Sequence, residues 1–364
     1  MHQRSKIRSM MRKTVVTLGL AFGLLAASGR DVLAQAQITF TPGADTQTFF
    51  NQTGLSQQNL NNTLNGLLQM TDAAGFLKKF GDAQSFTSKG MGVDYASEAT
   101  YLEVGGSASF AFGMDRTYQP GNINNVPIQV QSVGLNASLM AGVSLSSLGI
   151  PVMIFGNGMH VPTQQYGDMS GALDNWGVHA QLRLFGPSRD SSTLKMLVRW
   201  GGIAVTTGYD YSHMNLRLNR NIPSTNFSSG LPAGVSVDVA GSASVSVDMS
   251  TKSIPLEVTT SLRLLTLLTA YGGVGFDFQM GGGSAMNLDL DASLVGHAPG
   301  GPNLDLGTAH VHLPIPSASP SPAKIRGILG VQFNLWLLRP FLQFNVSNTS
   351  PTLYSLAVGA RLAY

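Results

Sequence analysis

Strict alternation of apolar with small or polar residues, sustained far beyond the length of an ordinary strand, constrains this chain more than any other feature. In Leu102–Met114 the even positions are Leu102, Val104, Gly106, Ala108, Phe110, Phe112 and Met114, while the odd ones run Glu103, Gly105, Ser107, Ser109, Ala111 and Gly113. Successive side chains of a strand point to opposite faces, so one face is apolar and the other small or polar. Val235 to Met249 repeats the pattern, with valines set against Ser236, Asp238, Ser242, Ser244, Ser246 and Asp248. So do Val133–Leu145, Trp176–Leu184, Leu268–Met280, Met286–Leu294, Ile325–Leu337 and Tyr354–Tyr364. A globular strand averages about 5–6 residues, whereas a tilted strand crossing a bilayer needs about 9–11.

Hydrocarbon offers no hydrogen-bond partner to a backbone, so a sheet within it must close on itself. A closed barrel turns its apolar face to lipid and its polar face to the lumen. That explains why only 11% of the residues are charged, against about 25% in a soluble domain. On this reading the lumen-facing charges are Glu103, Arg183, Arg199, Asp238, Glu257, Arg263, Asp277, Asp289, Asp291, Arg326 and Arg361. Tyr101, Trp176, Phe276, Phe278, Trp336, Phe341 and Tyr354 fall near strand ends, where interfacial girdles form.

Twelve strands are read, at 101–114, 129–145, 151–161, 175–185, 194–218, 234–249, 254–264, 267–280, 286–295, 325–337, 341–347 and 353–364. Fourteen is the alternative, if 194–218 hides a hairpin and the segment near Met91–Tyr95 is another strand. Gly201-Gly202 is expected to mark a bulge, because the apolar parity switches there from Trp200 to Ile203. An even count places both termini on the periplasmic side, with longer connections at 115–128, 162–174, 219–233, 296–324 and 348–352 on the outer side, plus a tight turn near Leu265-Thr266. The periplasmic turns are then 146–150, 186–193, 250–253, 281–285 and 338–340.

Residues 1–34 read as a secretory signal peptide. Arg4, Lys6, Arg8, Arg12 and Lys13 precede an apolar run from Thr14 to Ala27, too short to span a bilayer, and Val32-Leu33-Ala34 offers a small-residue cleavage pattern. The whole chain carries +3. Without the leader, 22 basic and 19 acidic residues become 16 and 18. The basic balance therefore belongs to the leader, and no nucleic-acid partner is expected. The chain has no cysteine, which excludes disulfide frameworks, thiol enzymes and cysteine zinc sites.

Residues 35–99 differ from the rest and read as a periplasmic segment with short amphipathic helices. Leu60, Leu64, Leu67 and Leu68 share one helical face, and Phe76, Leu77 and Phe80 lie on a second helix beginning near Asp72. Two placements are open: packing against the barrel base or its own neighbours, or entry into the lumen as a plug. The connection 296–324 carries six prolines, and within it His310 and His312 flank Val311. Two histidines without a spaced partner pair do not complete a metal site, so no metal or other cofactor is expected. His179, and His213 beside Ser212, are the residues that a catalytic reading would use. No Gly-x-Ser-x-Gly elbow precedes a helix, and the chain is not read as an enzyme.

At its C-terminus the chain resembles Gram-negative outer-membrane β-barrel proteins. It stops on Tyr364, with Leu362, Ala360, Val358, Leu356 and Tyr354 on the same face behind it. The resemblance implies that these residues are read by the barrel-assembly machinery and that the protein lies in outer-membrane lipid. The fold expected is therefore an all-β antiparallel up-and-down barrel over 100–364. Its expected role is a channel or binding protein for a small solute. The alternatives are a non-conducting structural or surface-interaction barrel and, third, an outer-membrane enzyme.

Overall fold

The computed structural model describes residues 37–54, 56–58, 73–96, 101–114, 130–186, 197–228, 231, 233–265 and 267–364. The expected leader and the face formed by Leu60, Leu64, Leu67 and Leu68 lie outside the described residues. Two compact units are present. Of the described residues, one unit takes those up to Phe76 together with those of Asn219–Val245 and Asn287–Pro316; the other takes those of Leu77–Leu218, Ser246–Met286 and Ser317–Tyr364.

The second unit is a closed antiparallel ring of ten strands. They belong to β2 (Leu102–Met114), β3 (Val130–Ser144), β4 (Val152–Tyr166), β5 (Met169–Phe185), β6 (Val198–Phe227), β7 (Ser236–Leu264), β8 (Leu268–His297), β10 (Ala323–Phe333), β11 (Leu338–Ser347) and β12 (Thr352–Ala363). The order is β8-β10-β11-β12-β2-β3-β4-β5-β6-β7, and a β7–β8 pairing closes it. Its polarity is the inverse of a soluble core. Leu135, Leu139, Val178, Val274, Leu329 and Val358 are exposed, while Glu103, Asp210, Glu257, Arg326 and Arg361 are buried. Along β12 the even positions, from Leu356 to Tyr364, face outward and the odd ones inward. An apolar exterior around a polar interior is the arrangement of a transmembrane β-barrel.

The ring corrects the strand count. Residues 234–249 and 254–264 form one strand, β7, and residues 267–280 and 286–295 form one strand, β8, so the turns expected at 250–253 and 281–285 do not exist. Gly281 and Gly282 take φ of 152° and 114°, conformations that only glycine adopts without strain. The strand bends there without reversing. One consequence is that the tight turn beginning at Leu265 shares an end with the chain's C-terminus. Asn334 N bonds Leu267 O, and Ala363 N bonds Leu337 O in the next turn. The expected connection 162–174 shrinks to two residues between β4 and β5. The bulge expected at Gly201-Gly202 lies instead on the facing strand: Arg183 and Phe185 pair with the adjacent residues Ala204 and Ile203, so the extra residue is Leu184 of β5, while Gly202 takes a φ of 94°.

β3 and β4 pair only from Leu139 to Ser144 on the β3 side. Side chains cover what the ladder leaves there. Asn175 of β5 donates to Ala137 O at 2.6 Å and to Asn136 at 2.7 Å. Phe341, expected in a girdle, instead points inward and lies 3.9 Å beneath the Arg361 guanidinium. Trp176 is exposed on the outside of the ring and packs on Tyr209 and Tyr211.

The first unit holds β1 (Gln37–Pro42), α1 (Thr46–Thr53), β9 (Asn303–Ala318) and the parts of β6, β7 and β8 assigned to it. β1 pairs with β9 in register, and β9 follows β8 in the sheet order. The residues read as a proline-rich loop are therefore largely a strand. Among the described residues β1 pairs with β9 from Gly307 to His312, and Pro314 and Pro316 fall beyond that stretch. Phe40, Phe49, Val235, Val237, Leu294, Leu304, Leu306 and Ala309 form a conventional apolar core.

Candidate functional site

The interior of the ten-stranded ring is occupied by the chain's own N-terminal segment. Helix α2 (Ala73–Thr87) and the turns that follow run through it, and every residue from Phe80 to Ala96 is buried. The second helix read from Phe76, Leu77 and Phe80 is this one. Its side chains explain how a helix can live inside a polar lumen: Gly81, Asp82, Ala83, Gln84, Ser85 and Thr87 are small or hydrogen-bonding.

The segment is fixed from all sides. Gln84 donates to Leu135 O of β3 at 3.1 Å and accepts from Leu135 N at 3.3 Å, with a further bond to Ser212 of β6. Ser85 donates to Gln279 of β8 at 3.0 Å. Asp82 accepts from the Ser321 backbone and hydroxyl and pairs with Lys324 of β10 at 2.9 Å. Ala83 and Phe86 pack with Ala111 of β2 and Leu353 of β12. Gln181 of β5 donates to Asp94 O at 2.9 Å.

Three buried charge clusters complete the attachment. Lys89 pairs with Asp210 of β6 at 2.9 Å and donates to Ser253 of β7, while His179 of β5 lies 3.2 Å from the same carboxylate. Arg326 of β10 bridges Glu257 of β7 and Asp277 of β8, and Tyr95 donates to Glu257 at 2.6 Å. Arg361 of β12 reaches Asp94 at 2.9 Å, Val93 O at 2.6 Å and Glu103 at 3.4 Å. A buried charge is tolerated only when paired and hydrogen-bonded. Two of the clusters bring a charge from the segment to an opposite charge on the wall; in the third the wall's own charges pair and the segment supplies Tyr95. The cavity beside Asp94, Tyr95, Gln181 and Arg183 measures about 20 Å³, room for a single water.

The sequence-predicted lumen charges therefore divide. Glu103, Glu257, Asp277, Arg326 and Arg361 are buried within the ring, and Arg183, Arg199 and Arg263 are half-buried on the same parity. Asp238, Asp289 and Asp291 do not. They lie in the first unit and face water, each against a histidine: Asp238 with His297 at 3.0 Å, Asp289 with His312 and Asp291 with His310 at 2.6 Å. Asn226 and then His297 hold the Asp238 carboxyl below the ordinary carboxylate range by hydrogen bonding. Alternation shows that two faces differ, not which one meets water. Val235 and Val237, read as lipid-facing, are buried core.

Asp82, Lys89, Asp94, Tyr95, Asp210 and Lys324 were not singled out from the sequence. The available signal was the small, polar stretch 81–94 with its isolated charges. Ser212 and His213 do not act together: Ser212 accepts from Gln84 inside, and His213 pairs with Asp248 at 3.1 Å.

A family model described as Lsa36-like matches residues 33–364. No curated protein matches the chain. Among solved structures, the translocator domain of the autotransporter NalP from Neisseria meningitidis is 11% identical with a TM-score of 0.32, covering 88% of this chain and all of that one. The transport unit of the autotransporter AIDA-I from Escherichia coli is 8% identical with a TM-score of 0.28, covering 80% and 99%. Ail, the attachment invasion locus protein of Yersinia pestis, is 10% identical with a TM-score of 0.26, covering 74% and 100%.

Proposed function

From the premise that the chain belongs to the Lsa36-like family, we propose that it is an outer-membrane barrel closed by its own N-terminal segment, non-conducting at rest. The leader directs export, the β12 face ending at Tyr364 is presented to the assembly machinery, and the apolar exterior meets outer-membrane lipid. The single observation that carries this reading is the unbroken burial of Phe80–Ala96 inside the ring, fixed to strands around it by Lys89, Asp94 and Tyr95. An open channel would leave that polar wall hydrated. Here its charges are spent on the segment and on one another.

A second reading, passage of a small solute once the segment withdraws, is supported by the polarity of the wall that it covers. Planar-bilayer recording on the refolded full chain separates the two. The wild type is expected to give no unitary conductance, and a variant lacking residues 73–96 to give discrete steps, provided it keeps a heat-modifiable gel shift. Stable steps from the wild type would overturn the closed-barrel reading.

A further inference from the structure

Two strands of the first unit carry matched pairs. Asp289 and Asp291 of β8 face His312 and His310 of β9 on the water-exposed face. His310 Nδ1 lies 2.6 Å from Asp291, and His312 Nδ1 lies 2.6 Å from Asp289. A carboxylate only accepts, so each Nδ1 carries the proton and each Nε2 presents its lone pair away from the Asp. The two imidazoles are 49% and 38% exposed. Val311 between them is buried, and β1 holds the other edge with Thr39 opposite His310 and Gln37 opposite His312. The backbone beneath the pair is thus fixed on both sides.

We propose that His310 and His312 form a divalent transition-metal site, with the two Nε2 atoms as ligands and Asp291 and Asp289 orienting them. Residues i and i+2 of a strand share a face about 6.7 Å apart, and zinc–nitrogen bonds are about 2.0–2.1 Å, so both rings can tilt onto one ion. A ligating histidine characteristically donates its other N–H to a carboxylate, which fixes the tautomer and raises basicity. That arrangement is already in place here. With neutral imidazoles the two carboxylates make the patch formally −2. The flanking Thr39 and Gln37 bring no positive charge, and from β7 Gly241 abuts the Asp291 backbone. Imidazole nitrogen selects zinc, copper or nickel over calcium and magnesium. Among the described residues no group of three or more His, Asp or Glu side chains converges on one point. The protein's own ligands are therefore two, and water or a second molecule completes the shell. The sequence did not supply the partner pair for these histidines, because it stands 19 and 23 residues away on the neighbouring strand.

The test is a titration of the folded full chain in detergent with zinc alone, against a chromophoric chelator. One zinc per chain is expected, lost in His310→Ala/His312→Ala and weakened about 10–100-fold in Asp289→Ala/Asp291→Ala, with the gel shift unchanged throughout. No zinc retained by the wild type, or equal retention by the double histidine variant, overturns the site. An unchanged affinity in the double aspartate variant overturns the orienting role.

Discussion

Arg361→Ala is expected to unseat the lumen segment and to cost about 3–5 kcal/mol, the penalty for stranding buried charge by removing its partner. The side chain is fully buried and binds Asp94 and Val93 O on the segment, Glu103 and Gln332 on the wall, and the face of Phe341. Its loss leaves two carboxylates, Asp94 and Glu103, without their guanidinium. Arg361→Lys keeps the charge but not the fork that reaches both sides, so an intermediate loss is expected. Replacing the group as a whole, Arg361→Met with Asp94→Asn and Glu103→Gln, removes the stranded charge and should recover much of the stability. Urea unfolding in detergent measures all three. An Arg361→Ala midpoint equal to wild type would contradict this account of how the segment is held.

The outer wall answers to a different solvent. Leu329 of β10 is 63% exposed, on the same outward parity as Ile325 and Phe333. Arginine at the bilayer midplane of a barrel costs about 2–4 kcal/mol, falling to about 0–1 near the interfaces. Leu329→Arg is therefore expected to show the larger figure in vesicles, and Leu335→Arg, in the turn that follows β10, the smaller one. Equal effects at the two positions would mean that this belt does not meet hydrocarbon.

What the sequence disclosed follows from the same physics. Period-two alternation reports that a strand has two unlike faces, so β2, β10 and β12 were legible with their inward charges. It is silent about which face meets water, and the first unit exploits that silence. Along β7, Asp238 faces water because Val235 and Val237 pack on Phe40 and Leu306, an ordinary soluble arrangement. Strand continuity at 250–253 and 281–285 was hidden because Ser, Lys and Gly there carry turn-like composition, whereas the backbone uses the glycines to bend. The lumen contents were the hardest to read. Lys89 meets Asp210 across 121 residues and Asp94 meets Arg361 across 267, and no local pattern encodes partners at that distance.

The chain's lack of cysteine gives the central claim a clean test. Ala83→Cys places one thiol on α2 among Phe86, Ala111 and Leu353, and Lys78→Cys places one five positions earlier on the same helix, where the side chain is exposed. With a membrane-impermeant maleimide applied to the folded protein in detergent, residue 78 is expected to label rapidly and residue 83 only after unfolding. Rapid labelling at both positions in protein that still shows its heat-modifiable shift would place the segment outside the lumen and contradict the closed barrel.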